Sequence, residues 1–191
     1  MTLQLAAATE FRAGSLVVHY QVHNPDALPA LVFDRRWDAD AGALDASWME
    51  VLFDGDTALL LRGWTPPPEG VFAPEVAVPY GRRVEPGATH VTEVVVPLPL
   101  AERSLWLALQ RGPLPSADDA VAAIQGCALH LGWCVLAGTD GLPEASRTPV
   151  EIEGEHLHWL DASLLGPVQQ TVAVALETGP LRGLRFAGGA A

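Results

Sequence analysis

His156 and His158, in the run EGEHLHWLD, are the residues whose type and spacing point most directly to chemistry. At i and i+2 on a strand, two imidazoles share one face about 6–7 Å apart, which suits one metal ion if a third ligand arrives from elsewhere. Glu155 and Asp161 are adjacent candidates for that ligand, with His90 and His130 more remote. The same H-x-H pattern also arises on a solvent-facing strand whose Leu157 and Trp159 take the core side. His156 and His158 are therefore candidate metal ligands under an alternative reading, a metal-dependent enzyme or small-ligand binder. A second histidine pair, His19 and His23 in HYQVH, is four residues apart. On a helix the two would share a face; on a strand they lie roughly 13 Å apart, at about 3.3 Å per residue, and cannot hold one ion. Leu16, Val18, Tyr20 and Val22 alternate with Val17, His19, Gln21 and His23, and Asn24-Pro25-Asp26 closes the run. Period two with β-branched enrichment means a half-buried strand, so this metal site falls away.

Other catalytic signatures are missing. No GxGxxG run occurs, and a phosphate-binding GxxxxGK[ST] loop is impossible because all 11 basic residues are arginine. There is no G-x-S-x-G elbow, and Ser163 in DASLLG has no nucleophile context. Cys127 and Cys134 are seven apart; in an extended segment they point to opposite faces, roughly 23 Å apart, and so read as buried free thiols. DADAGALD at 38–45 lacks the ligand spacing of a calcium loop and reads as a solvated connection. The doublets Arg35-Arg36 and Arg82-Arg83 read as solvated turns or edge-strand guards. No cofactor is implied.

The aromatic residues give the most suggestive binding signal. Of the 6 tryptophans, Trp48, Trp106, Trp133 and Trp159 lie in or beside expected strands and read as core, whereas Trp37 and Trp64 fall at strand ends or loops. In GWTPPPEGVFAP at 63–74, prolines stiffen a loop that carries Trp64 and Phe72. Aromatic side chains on a preordered loop offer contact area at low entropic cost, so Trp64 and Phe72 are candidate binding residues, against the plainer role of capping one end of the fold.

These residues must be positioned by strands. The 191 residues, 49 % of them hydrophobic, suffice for a substantial core. Seven strands with turn signals between them fall within the first 100 residues, including WMEVLFD and TALLLRG around Gly55-Asp56, and a strand from Thr89 to Val96 after Pro86-Gly87. Further on, SLWLALQ at 104–110, GCALHLGWCVLAG at 126–138, two short strands around Gly154, and VQQTVAVALE at 168–177 continue the pattern. SADDAVAAIQG at 116–126 is the best helix candidate, with Ser116 as N-cap and Gly126 as stop. The expectation is an all-β chain: an enlarged antiparallel β-sandwich with at most one short helix near 116–126. Strand spacing and the segment VEPGATHVTEVVVPLPL resemble Ig-like domains at the level of fold, and the resemblance transfers no residues or activity. One domain over 1–191 is expected, the alternative being two small sandwiches over 1–100 and 104–191.

The formal net charge of −12 and the lack of a basic stripe argue against nucleic acid as partner. The absence of a long apolar run argues against a membrane span, and the N-terminal residues read as mature, cytoplasmic sequence. With the catalytic motifs missing, the function expected is a non-enzymatic protein-binding or assembly module, its partner another protein or a second copy of itself.

Overall fold

Side-chain alternation decides where this backbone runs straight. The computed structural model describes residues 2–68, 71, 78–104, 106, 120–136 and 149–185. In chain order the strands are β1 (Gln4–Arg12), β2 (Ser15–His23), β3 (Ala30–Asp38), β4 (Ala43–Asp45), β5 (Glu50–Asp54), β6 (Thr57–Arg62), β7 (Tyr80–Val84) and β8 (Thr89–Pro97). They continue with β9 (Leu100–Ala101), β10 (Ala120–Ile124), β11 (Gly126–Val135), β12 (Val150–Ile152), β13 (Glu155–Trp159), β14 (Gln170–Ala175) and β15 (Leu181–Arg185). A seven-residue helix, α1 (Ala162–Val168), separates β13 from β14. The chain is all-β in character, and among the described residues no helix is long and apolar enough to cross a membrane.

Among the described residues the strands form three sheets. One has the order β1-β2-β8, a second β10-β15-β9, and the largest β12-β13-β7-β3-β11-β6-β5, with β4 paired to β3 and β14 to β11. Pairing is antiparallel except for β11 with β6 and β15 with β9, which run parallel. Leu16, Val18, Tyr20 and Val22 of β2 join Val32, Leu60, Leu129 and Trp133 of the large sheet in the main core. The opposite face of the large sheet buries Leu31, Phe33 and Cys134 against Leu160 and Leu165. Covered on both sides, β3 needs the continuous apolar run ALVF rather than an alternating one. Cys127 and Cys134 fall in the two different clusters, free and buried, as their odd separation requires.

The structure corrects the expected helix near 116–126. Residues 120–124 are strand β10, held antiparallel to β15 with Ala122 opposite Gly183; 116–119 lie outside the described residues. A short alanine-rich run is a marginal helix on its own, so five residues of sheet pairing override its propensity. A helix that does form among the described residues, α1, is hidden in the sequence because Gly166 and Pro167 sit inside it. Its start is marked by Asp161, whose carboxylate accepts from the Ser163 backbone N–H at 2.8 Å. Of the strand expected over 104–110, Ser104 and Trp106 are described, and Trp106 has helical backbone. The run expected around 75–79 falls mostly outside the described residues; pairing begins at Tyr80, so Tyr80-Gly81 is strand rather than turn.

Between β6 and the loop that follows, the chain crosses β11 at a pair of glycines. A Cβ on Gly63, whose φ is +144°, would lie 2.9 Å from Gly132 Cα; one on Gly132 would lie 2.7 Å from Gln169 Oε1. Gln169 uses that amide to bridge the neighbouring turn, accepting from Trp64 N at 2.8 Å and donating to Trp64 O at 2.9 Å. Gly132→Ala must therefore displace both a backbone and this bridge, and is expected to cost about 1–3 kcal/mol in urea unfolding. A loss below 0.5 kcal/mol would show that the crossing is loose.

Candidate functional site

Strand β3 supplies the centre of the polar architecture. Its register with β7 shifts between Phe33 and Arg35, leaving Asp34 as the extra residue of a β-bulge. Asp34 shares the inward face of Ala30 and Val32 and is fully buried. Across the core, His90 Nε2 of β8 meets Asp34 Oδ2 at 2.9 Å, tying the small sheet to the large one. Arg35 Nη1 lies 3.3 Å from the same oxygen. Burial pushes the Asp34 carboxyl up, but the His90 hydrogen bond and the Arg62 and Arg35 guanidiniums outweigh it and hold the group below the usual carboxylate range.

Arg62 sits at the end of β6 on the face of Ala58 and Leu60, with 1 % of its surface exposed. It donates to Tyr20 Oη at 3.0 Å, to Ala46 O at 2.8 Å and to the Asp34 carbonyl. The bond to Ala46 links this buried cluster to the surface, because Ala46 opens the short segment leading to Ser47 and Trp48. Burial raises the Tyr20 phenol, so it remains a neutral acceptor for the guanidinium. On the opposite face of β3, Arg35 and Arg82 converge on Glu155, at 3.4 and 2.5 Å. The expectation that both arginine doublets are solvated thus fails for Arg35, which is 7 % exposed and engaged on both sides. A bulge inside a covered sheet cannot leave a cation facing water, and the two carboxylates are the compensation.

Outside this cluster, the segment from β4 to β5 walls a cleft of about 210 Å³ whose charged lining is Arg36, Asp45, Glu50 and Arg103. A neighbouring cleft of about 400 Å³ shares Arg36, Asp45 and Trp48 with it and continues along the β3–β4 hairpin past Trp37, Asp38 and Asp40. Arg36 stacks over the Trp48 ring, 5.7 Å from its centroid. Trp37, 41 % exposed, stands opposite Leu44 in the hairpin register. Arg103 is placed by its backbone, which exchanges two 2.8 Å hydrogen bonds with Val51 and leaves the side chain to the cleft. Among the described residues, neither Arg36 nor Arg103 has a carboxylate within ion-pair distance. Burial pushes the Arg103 guanidinium down from its ordinary value, and Asp45 opposes the shift from a distance. Asp45 is itself occupied by Ser47, whose N and Oγ donate at 2.8 and 2.7 Å.

The residues singled out from sequence lie elsewhere. Trp64 is half-buried beside α1: a Cβ on Gly166 would come within 2.7 Å of its ring. With His130, Gln169 and Thr171 it lines a separate cleft of about 230 Å³. Phe72 lies outside the described residues. His156 is exposed while His158 is 2 % exposed, and Trp159, expected inside, is 44 % exposed. Among the described residues, no group of three or more His, Cys, Asp or Glu is arranged to hold a metal. His19 and His23 lie on β2 as expected, His19 between Glu10 and Glu93 at 3.5 and 3.4 Å. Trp48 is the residue that sequence reasoning placed in the core and the structure places at the cleft. Its signal was the break between Asp45 and Met49, where ASW carries no alternation.

Comparison of the chain with protein-family models, with curated proteins and with solved structures returned no match.

Proposed function

We propose that this chain is a non-enzymatic protein-binding or assembly module, built on an enlarged Ig-like β-sandwich, that meets its partner at the β3–β4 hairpin and the cleft behind it. The observation that carries the proposal is the grouping of Trp37, Trp48 and Arg36 along adjoining clefts, with Trp37 exposed and Arg36 without an ion-pair partner among the described residues. Tryptophan and arginine dominate the energetics of protein interfaces, because each combines a large contact area with a directional polar group. Among the described residues, several groups of a kind that could do covalent or acid–base chemistry are engaged in the fold, which supports this reading. Ser163 Oγ donates to Asp161 at the start of α1. Burial pushes the Cys127 and Cys134 thiols up to about 11 and about 12, so neither is a thiolate near neutrality. Asp34 and His90 face each other inside the core, beside Arg62 and Tyr20. A second copy docking along edge strand β8 is disfavoured by Glu93 at the middle of that strand and by the net charge of −12.

The test is quantitative co-purification from native lysate with the wild-type chain and a Trp37→Ala/Trp48→Ala variant. A saturable protein partner is expected, retained about tenfold or more less well by the variant, since a single interface tryptophan commonly contributes 2 kcal/mol or more. An unchanged thermal midpoint would show that the variant remains folded. A strictly monomeric chain with no saturable partner, or a partner held equally by both proteins, would overturn the proposal.

A further inference from the structure

We infer that the free edge of strand β8 takes up an extended, basic segment of a partner protein as an added strand, with Lys or Arg opposite Glu93 and β-branched residues opposite Val91 and Val95. The inference adds a second surface to the binding role proposed above and stands apart from the hairpin cleft. β8 is the last strand of the order β1-β2-β8 and pairs with β2 without a register shift, from His23 opposite Thr89 to Ser15 opposite Pro97. The two ends of that ladder fix which backbone groups are used: Asn24 N donates to Ala88 O at 3.0 Å, and Leu98 N to Gly14 O at 2.9 Å. Bonded and non-bonded pairs alternate in an antiparallel ladder, so His90, Thr92, Val94 and Val96 are the residues that bond to β2. Thr89, Val91, Glu93 and Val95 therefore turn their N–H and C=O groups to the other side, where none has a backbone partner among the described residues. An incoming extended chain finds its donors and acceptors there already in line.

Three other edges are closed or short. Across the same sheet, β1 is tied by Thr9 Oγ1 to the Glu177 carbonyl at 2.6 Å. Val51 of β5 exchanges two 2.8 Å backbone bonds with Arg103, and β12 has only three residues. Along β8 the side chains that accompany the free backbone groups are exposed, Val91 at 68 % and Val95 at 41 %. Two β-branched residues in these positions reward β-branched neighbours across a ladder. The charge between them selects the partner. Glu93 is half-exposed, and His19, 3.4 Å away, forms an ion pair with it only when protonated. Glu10, on the same face, is engaged by Arg12. An edge carboxylate in a chain of net charge −12 repels a second copy and any acidic strand, whereas a basic side chain opposite it gains a cross-strand pair. Glu93 is thus a guard against self-pairing that still admits a basic strand.

The experiment titrates the isotopically labelled chain with the blocked peptide TTVTKTVTT, which reads the same in both directions, and follows amide shifts and hydrogen exchange. Before peptide is added, the amides of Val91, Glu93 and Val95 should exchange about tenfold or more faster than those of Thr92, Val94 and Val96, which are bonded to β2. Saturable binding should then slow Val91, Glu93 and Val95 selectively. Glutamate in place of the central lysine should weaken binding about fivefold or more, and Glu93→Lys should invert the preference between the two peptides. Methylating one alternate set of peptide nitrogens should abolish binding, and methylating the other set should spare it, because only one set faces β8. An unchanged thermal midpoint is expected for Glu93→Lys, whose side chain is half-exposed. Slow exchange at Val91, Glu93 and Val95 in the free chain, protection confined to another edge, equal affinity for both peptides, or no saturable binding would each overturn the inference. So would a dimer that protects the same amides, since the occupant would then be a second copy.

Discussion

Asp34→Ala is expected to lower the free energy of unfolding by about 3–5 kcal/mol at pH 7, measured by urea denaturation. The carboxylate itself is the smaller part of that loss. Removing it leaves Arg35 without its 3.3 Å partner and His90 without its 2.9 Å partner, while Arg62 stays buried beside a vacated charge. For a domain whose total stability is of the order of 5–15 kcal/mol, the change approaches the threshold of folding. Asp34→Asn keeps the shape and one acceptor and should cost less than the alanine variant. The pH dependence has a definite sign. The folded-state carboxyl titrates below its unfolded value of about 3.9, so its contribution is complete above that pH and is lost as pH falls through the folded value. The gap between wild type and Asp34→Asn should therefore be constant near neutrality and narrow below about pH 4. A gap that stays constant into acid would mean that Asp34 takes up its proton equally in the folded and unfolded chain, with no lowered folded-state value behind its contribution.

Much of this architecture can be read from alternation. β2, the Gly55-Asp56 hairpin, β8, β11 and the β12–β13 pair all fall where period two and turn residues place them. The parallel pairing of β11 with β6 cannot be read that way, because alternation fixes which face a residue takes and says nothing about which strand lies alongside. The same limit hid β10, whose partner β15 is nearly sixty residues away in a glycine-containing run that has little strand character of its own.

The buried cluster was legible in principle. Continuing the inward parity of Ala58 and Leu60 reaches Arg62; that of Ala30 and Val32 reaches Asp34; that of Val94 and Thr92 reaches His90. Polar residues at inward positions on three different strands can be buried only if they find one another. Taken singly, however, each looks like the frayed end of a strand. The cleft is harder still. Trp64 and Phe72 stood out because prolines announce a stiff loop, whereas Trp48 follows a segment tied to the core by a hydrogen bond from Arg62 to Ala46 that no local pattern encodes.

That bond makes Arg62→Leu the sharpest link between core and surface. The substitution removes donors to Tyr20 Oη, Ala46 O and the Asp34 carbonyl, and leaves the Asp34 carboxylate with less positive charge around it. A loss of about 3–5 kcal/mol is expected, comparable to that of Asp34→Ala. The two changes should be far from additive. Asp34 Oδ1 and Arg62 Nε are buried without a hydrogen-bond partner among the described residues, so the wild-type cluster already carries part of the desolvation cost of its charges. In the Asp34→Leu/Arg62→Leu pair neither charge is left stranded, and the double variant should be more stable than the sum of the single losses by about 1–3 kcal/mol. A purely structural role would end there. If Arg62 also fixes the cleft wall, the double variant will fold yet show faster amide exchange over Ala46–Trp48, because nothing replaces the bond to the Ala46 carbonyl. Should amide exchange over Ala46–Trp48 in the double variant match wild type, that segment would be held by its own contacts, and the buried arginine would serve the core alone.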